Sequence, residues 1–190
     1  STHRALLELS RSGHEDIAWQ LVTNRTFPSW LYMIDNGATT IWERWDGFVK
    51  GRGFQDPGMN SFNHWAFGAV GEWVWRNVAG LNPDDTEPGW KRFTIRPRPG
   101  GGVTWARSRH ETLHGRVYTS WKLEGNRFLL DVSVPANTTA TIVLPQPWTS
   151  AVTESGRPVQ GEPYIKPLPQ DPSGASYHVE SGTYRFESTD

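Results

Sequence analysis

The chain has 190 residues, 36% of them hydrophobic, with a formal net charge of -1 and a mean hydropathy of -0.60, a profile of a globular protein long enough to bury a sizeable core. Its 19 basic residues are scattered among 20 acidic ones, so the basic stripe that neutralises phosphates is missing and no nucleic-acid partner is expected. No run approaches the roughly 18 uninterrupted apolar residues of a spanning helix, and the absence of Cys removes disulfide frameworks and thiolate metal sites without fixing a compartment.

The 11 tryptophans fit either carbohydrate stacking or a Trp-rich core. Ser1-Thr2-His3-Arg4 carries neither an initiator Met nor a signal pattern, so the chain reads as the C-terminal piece of something longer. Arg4 to Leu9 has a short helical pattern closed by Ser12-Gly13, and Glu15 to Asn24 places Ile17, Ala18, Leu21 and Val22 on one helical stripe. Together they predict a helix hairpin. Pro28 and Ser29 end it, and Ala38 to Trp45 is compatible with either a brief extended run or a helix start capped by Thr. Gly47 to Gly58 reads as loop. From Ser61 as N-cap, Phe62, Trp65, Ala66, Ala69, Val70, Trp73, Val74 and Val78 recur at threes and fours, predicting one long helix that Gly80 closes.

After Leu81 the pattern changes. Asn82 to Gly89 is turn-rich, and beyond it Phe93–Pro97, Gly102–Ser108, Gly115–Glu124, Arg127–Val134, Thr138–Pro145, Ala151–Thr153, Ser176–Glu180 and Thr183–Glu187 read as short strands. Gly125-Asn126 between two such runs is a strong hairpin signal. This spacing predicts an antiparallel β-sandwich, with an exposed Pro-rich loop at 166–174 that includes Pro167, Pro169 and Pro172. Residues 1–81 thus form a helical domain, 82–91 a linker and 92–190 a β-sandwich domain.

Glu43 lies in Trp42-Glu43-Arg44-Trp45-Asp46, where indole faces suited to the C–H faces of a sugar flank a titratable acid. It is a candidate general base or nucleophile for glycoside hydrolysis, against the alternative of an ion pair with Arg44. Asp46 and Asp35 are further carboxylates. His64, in the first turn of the expected helix, suits a sugar hydroxyl or a capping and packing role. His110-Glu111-Thr112-Leu113-His114 formally matches a zinc-protease pattern, but on strands its histidines would stand about 13 Å apart, so no metal site is expected. The run Gly100-Gly101-Gly102 leads into a strand and not a helix, which suits a turn better than a phosphate cradle.

Three blocks, Gly37 to Asp46, Ser61 to Gly68 and Pro88 to Pro97, together resemble bacterial α-L-rhamnosidases of glycoside hydrolase family 78. The resemblance runs in order up to about Pro145. It implies an α+β multidomain fold: the last helices of an (α/α)6 barrel followed by an antiparallel β-sandwich. It further implies inverting hydrolysis of terminal α-L-rhamnose, Glu43 as general base and His64 against the rhamnose; no cofactor is expected, and Trp42 and Trp45, from their flanking position, are expected to bind substrate. The family's general acid has no match in these residues. The implied partners are a rhamnosyl glycoside and the remainder of the barrel; without the latter, the chain is expected to be inactive and to expose an apolar patch. A non-catalytic carbohydrate-binding or structural sandwich is the alternative.

Overall fold

The computed structural model describes residues 2–169 and 174–190. It divides into two compact units, Ser1–Trp73 and Val74–Asp190. Pro172, within the loop expected at 166–174, lies outside the described residues.

The first unit opens on the expected helix hairpin, α1 (Thr2–Arg11) and α2 (Glu15–Thr23). Leu6 and Ser10, four residues apart on α1, are buried, and Ser10 Oγ accepts from the buried Trp73 Nε1 at 2.8 Å. On α2 the buried residues are Ala18 and Trp19, while Ile17 and Leu21 of the anticipated stripe stay exposed. Helix α3 (Trp30–Asp35) starts with Ser29 Oγ accepting from Tyr32 N–H. It stops with Gly37 N–H donating to Ile34 O and Ala38 N–H to Met33 O, the paired bonds of a Schellman end. Beyond it, 38–47 is irregular, so neither alternative for Ala38 to Trp45 holds as a regular element. The segment expected as loop contains a small hairpin, β1 (Phe48–Val49) and β2 (Gly53–Phe54), then a 3-10 turn at Pro57–Met59.

The long helix expected from Ser61 is later and broken. Helix α4 (Trp65–Gly68) begins with His64 as N-cap, α5 (Val70–Trp73) follows, and a π-helical turn occupies Val74–Val78, with Ala79 N–H reaching Val74 O. Gly68 and Gly71 weaken the helix interior where the break falls.

In the second unit the antiparallel β-sandwich is present. One sheet has the order β10-β9-β13-β7-β6-β5, and the other β11-β12-β8-β4-β3. The strands are β3 (Leu81–Pro83), β4 (Arg92–Ile95), β5 (Trp105–Thr112), β6 (Gly115–Glu124), β7 (Arg127–Val134), β8 (Thr139–Pro145), β9 (Ser150–Glu154), β10 (Arg157–Pro158), β11 (Ile165–Pro167), β12 (Gly174–Val179) and β13 (Gly182–Thr189). Glu124 pairs with Arg127 across Gly125-Asn126, as the hairpin signal requires. The connector anticipated at 82–91 is shorter, since β3 pairs with β4 from Leu81↔Ile95 to Pro83↔Phe93. Pro83 is tolerated because β3 is an edge strand. Strand β5 begins at Trp105 and not at Gly102, and extends to Thr112. Along β4, the pairing with β8 is parallel, the one departure from the antiparallel pattern among the described strands.

Period-two burial makes the core: Phe128, Leu130, Val132 and Val134 of β7 face inward, with the residues between them less buried. Tyr177 of β12 and Phe186 of β13 stack across the two sheets at 6.0 Å. The buried Trp121 donates from Nε1 to Val78 O at 2.6 Å, tying the π-helical turn to β6. Burial pushes the Tyr177 and Tyr184 hydroxyls above their ordinary value of 10.0. A raised folded value means that the neutral form is held in the native state. The associated stability is complete below pH 10 and is lost as pH rises through the folded values. Thermal melts followed by circular dichroism should therefore fall in midpoint above about pH 10, and Tyr177→Phe should reduce that fall.

Candidate active site

The residues around Glu43 are organised by main-chain pairing between 41–43 and 61–64. Glu43 N–H donates to Ser61 O at 2.8 Å, and His64 N–H donates to Ile41 O at 2.9 Å. The Thr40 hydroxyl donates to Phe62 O. These bonds explain why the helix cannot start at Ser61: the carbonyls of its first turn are already engaged with the preceding ribbon. Ser61 Oγ accepts instead from Asn63 N–H at 3.2 Å, closing a local turn.

The same pairing orients the carboxylate. Ser61 N–H donates to Glu43 Oε2 at 2.9 Å, while Glu43 Oε1 faces His64 Nε2 at 3.9 Å, and both side chains are about one-third exposed or less at 27% and 31%. His64 Nδ1 accepts from Ala66 N–H at 3.2 Å as it caps α4. The neutral ring therefore carries its proton on Nε2, the nitrogen turned toward Glu43. A gap of 3.9 Å is too long for a direct hydrogen bond. It suits one hydroxyl that accepts from Nε2–H and donates to Oε1.

Arg44 does not neutralise Glu43. Its Nε and Nη2 grip Asp46 at 3.0 and 3.1 Å, a bidentate pair that turns both side chains to each other. Asp35 is engaged by Arg25. Thus the ion-pair alternative for Glu43 with Arg44 is not the arrangement found.

Trp42 and Trp45 flank the site differently from the stacking wall anticipated. Trp42 is 4% exposed, with edge contacts to Phe62 at 5.4 Å and Phe48 at 6.4 Å, so it packs inside and offers no open ring face to a sugar. Trp45 is half-buried, one face stacked on Phe67 at 3.9 Å and its ring meeting Trp30 at 5.1 Å. Five of the eleven tryptophans, Trp19, Trp30, Trp42, Trp73 and Trp121, are buried, which assigns much of the enrichment to the core.

Two contributors escaped the sequence reading. One is the main-chain N–H of Ser61, which no side-chain pattern can announce. The other is Asn60, whose Nδ2 donates to Gly47 O at 3.0 Å and so holds the end of the Glu43 segment beside the irregular segment that carries Ser61. The close approach also requires glycine at 47, where a Cβ would stand 2.9 Å from Asn60 Oδ1. His110 lies on β5 and His114 in the β5–β6 turn, so the H-E-x-x-H residues do not share a helix face.

Residues 1–78 match the family model for the bacterial alpha-L-rhamnosidase 6 hairpin glycosidase domain, and residues 80–157 the bacterial alpha-L-rhamnosidase C-terminal domain. Among curated relatives, an alpha-L-rhamnosidase of Streptomyces avermitilis is 45% identical over 97% of this chain, and one of Formosa agariphila 35% identical over 95%. The chain spans 17% and 19% of their respective lengths. A crystal structure of the Streptomyces avermitilis enzyme complexed with L-rhamnose superposes with a TM-score of 0.88 at 44% identity, covering 98% of this chain and 17% of that one. An alpha-L-rhamnosidase structure from Dictyoglumus thermophilum gives a TM-score of 0.84 at 32% identity, covering 99% of this chain and 20% of that one. Two adjoining family models and relatives along nearly its whole length agree: the chain belongs to the bacterial α-L-rhamnosidase family.

Proposed function

We propose that this chain supplies the general base of an inverting glycoside hydrolase that removes terminal α-L-rhamnose from glycosides or polysaccharides. Glu43 deprotonates the water that attacks the anomeric carbon, and His64 holds a rhamnose hydroxyl through Nε2–H. The observation that carries this reading is the orientation of the Glu43 carboxylate. One oxygen is fixed by Ser61 N–H, the other faces His64 Nε2 at 3.9 Å, and the neighbouring Arg44 is occupied by Asp46. Trp45 borders the substrate position from its half-buried edge, while Trp42 stiffens the ribbon from inside.

An inverting mechanism needs a second carboxyl roughly 6.5 to 9.5 Å from the first, to protonate the leaving oxygen and admit the water. With Asp46 and Asp35 engaged by arginines, that acid is assigned to the remainder of the polypeptide, and the isolated chain is inactive. The helices of the first unit are the last of an (α/α)6 barrel. Exposed Ile17, Leu21, Phe27, Ile34, Phe54, Met59 and Trp65 support this, since barrel neighbours would cover such side chains. A purely carbohydrate-binding or structural role leaves the paired Glu43 and His64 geometry without a purpose.

His64 separates binding from folding. In the complete enzyme, His64→Ala should cost about 1 kcal/mol of stability through the lost cap and raise KM. His64→Asn retains a capping oxygen but lacks Nε2–H. Its melting temperature should return toward the parent, with KM for a rhamnoside still raised roughly fivefold to tenfold. Full recovery of KM by Asn would sink the assigned contact.

A further inference from the structure

The outward face of β5 carries the features of a second binding surface. Alternation along this edge strand exposes Trp105, Arg107, Arg109 and Glu111, which stand opposite Lys122, Ser120, Tyr118 and Arg116 of β6. Nearby cations are matched: Arg116 with Glu111, Lys122 with Glu124, Arg127 with Glu124 and Glu187, Arg185 with Asp131. Arg107 and Arg109 break that pattern, for neither guanidinium has a carboxylate or hydrogen-bond partner among the described residues. With Ser108 and Tyr118 they line a groove of about 620 Å3.

We infer that this edge binds an acidic polysaccharide, a glycan chain bearing uronate carboxylates. Same-face residues on a strand repeat at roughly 7 Å, so Trp105, Arg107 and Arg109 form a row about 14 Å long. Guanidinium forks fit carboxylates in a bidentate manner, and two of them at strand spacing meet a charge that recurs along a polymer. Trp105, 59% exposed, presents an indole against which the C–H face of a sugar ring packs. A nucleic acid is disfavoured because tight binding needs many neutralised phosphates, and this edge offers two adjacent uncommitted cations, Arg107 and Arg109, in a chain of net charge -1. The inference rests on the rhamnosidase reading only for its polymeric substrate: the surface would hold a rhamnose-bearing acidic chain near the enzyme.

The test is affinity electrophoresis of the complete protein in gels containing polygalacturonate, dextran sulfate or neutral dextran. Polygalacturonate should retard the parent and neutral dextran should not. Arg107→Ala with Arg109→Ala should weaken the polygalacturonate affinity about tenfold or more, and Trp105→Ala should weaken it severalfold, at unchanged melting temperature. Unchanged retardation in the double variant overturns the inference. A lowered melting temperature with unchanged retardation does so too, and means that another part of the polypeptide covers the arginines. Stronger retardation by dextran sulfate, indifferent to Trp105→Ala, would reduce the surface to a simple cation patch and also overturn it. Turnover of para-nitrophenyl rhamnoside by the parent enzyme is read separately, so failure of the rhamnosidase assignment and failure of this surface give different results.

Discussion

In the complete enzyme, Glu43→Gln should lower kcat on a rhamnoside by roughly 10²-fold to 10⁴-fold, the range general-base catalysis contributes, with KM changed far less. The choice of Gln matters. Its carboxamide oxygen can still accept from Ser61 N–H, the bond that holds Oε2 at 2.9 Å, so the ribbon between 41–43 and 61–64 keeps its pairing. What disappears is the basic oxygen that faces His64. An unchanged circular dichroism spectrum and rhamnose affinity would assign the loss to the proton-transfer step. Wild-type turnover in the Gln variant would remove Glu43 from the mechanism altogether.

The second large effect concerns stability. Gly80→Ala should destabilise the sandwich unit by about 4 kcal/mol, equivalent to a fall in melting temperature of roughly 15 °C. Gly80 has φ 82, its carbonyl accepts from Arg96 N–H at 2.8 Å, and a Cβ there would lie 2.4 Å from Pro97 N and 2.7 Å from Arg96 C. These are backbone atoms of the segment leaving β4, itself paired on both sides, so they cannot swing away as a side chain would. Gly89 provides the control: its φ is 99, and an added Cβ meets nothing within 4 Å. Gly89→Ala should cost only about 1 kcal/mol, the conformational penalty without the overlap. Equal losses in the two variants, measured by thermal or urea denaturation, would refute the close-approach explanation.

The sandwich was largely legible because its signals are local. Alternation along β7 and the Gly125-Asn126 turn define both strands and register without help from distant residues. Strands β3, β10 and β11 were missed, being two or three residues long and each containing a proline. They exist because a neighbouring strand offers a free edge, information that no short window carries. The helix expected from Ser61 failed for a related reason. Its apolar spacing was sound, but residues 40–43 compete for the same backbone groups and win them. At the site, Glu43 and His64 were legible as residue types and through the resemblance. That Trp42 is buried against Phe62 and that Ser61 N–H fixes the carboxylate are outcomes of packing between segments some 20 positions apart, while the turn of Arg44 to Asp46 is a choice of partner between two near neighbours.

The parallel pairing of β4 with β8 carries a kinetic consequence. Arg92–Ile95 meets Thr139–Ile142 across the whole of β5, β6 and β7, a long loop to close, whereas those three strands can assemble as successive hairpins. The six-stranded sheet in turn waits for β13, whose Gly182–Thr189 sits between β7 and β9. The meander β5-β6-β7 is therefore the natural nucleus, and β4, although synthesised before it, remains unpaired on its β8 side until much later. During that interval Phe93 and Ile95, both buried in the finished core, are open to mispairing, so the strand made early is the one most dependent on residues made late.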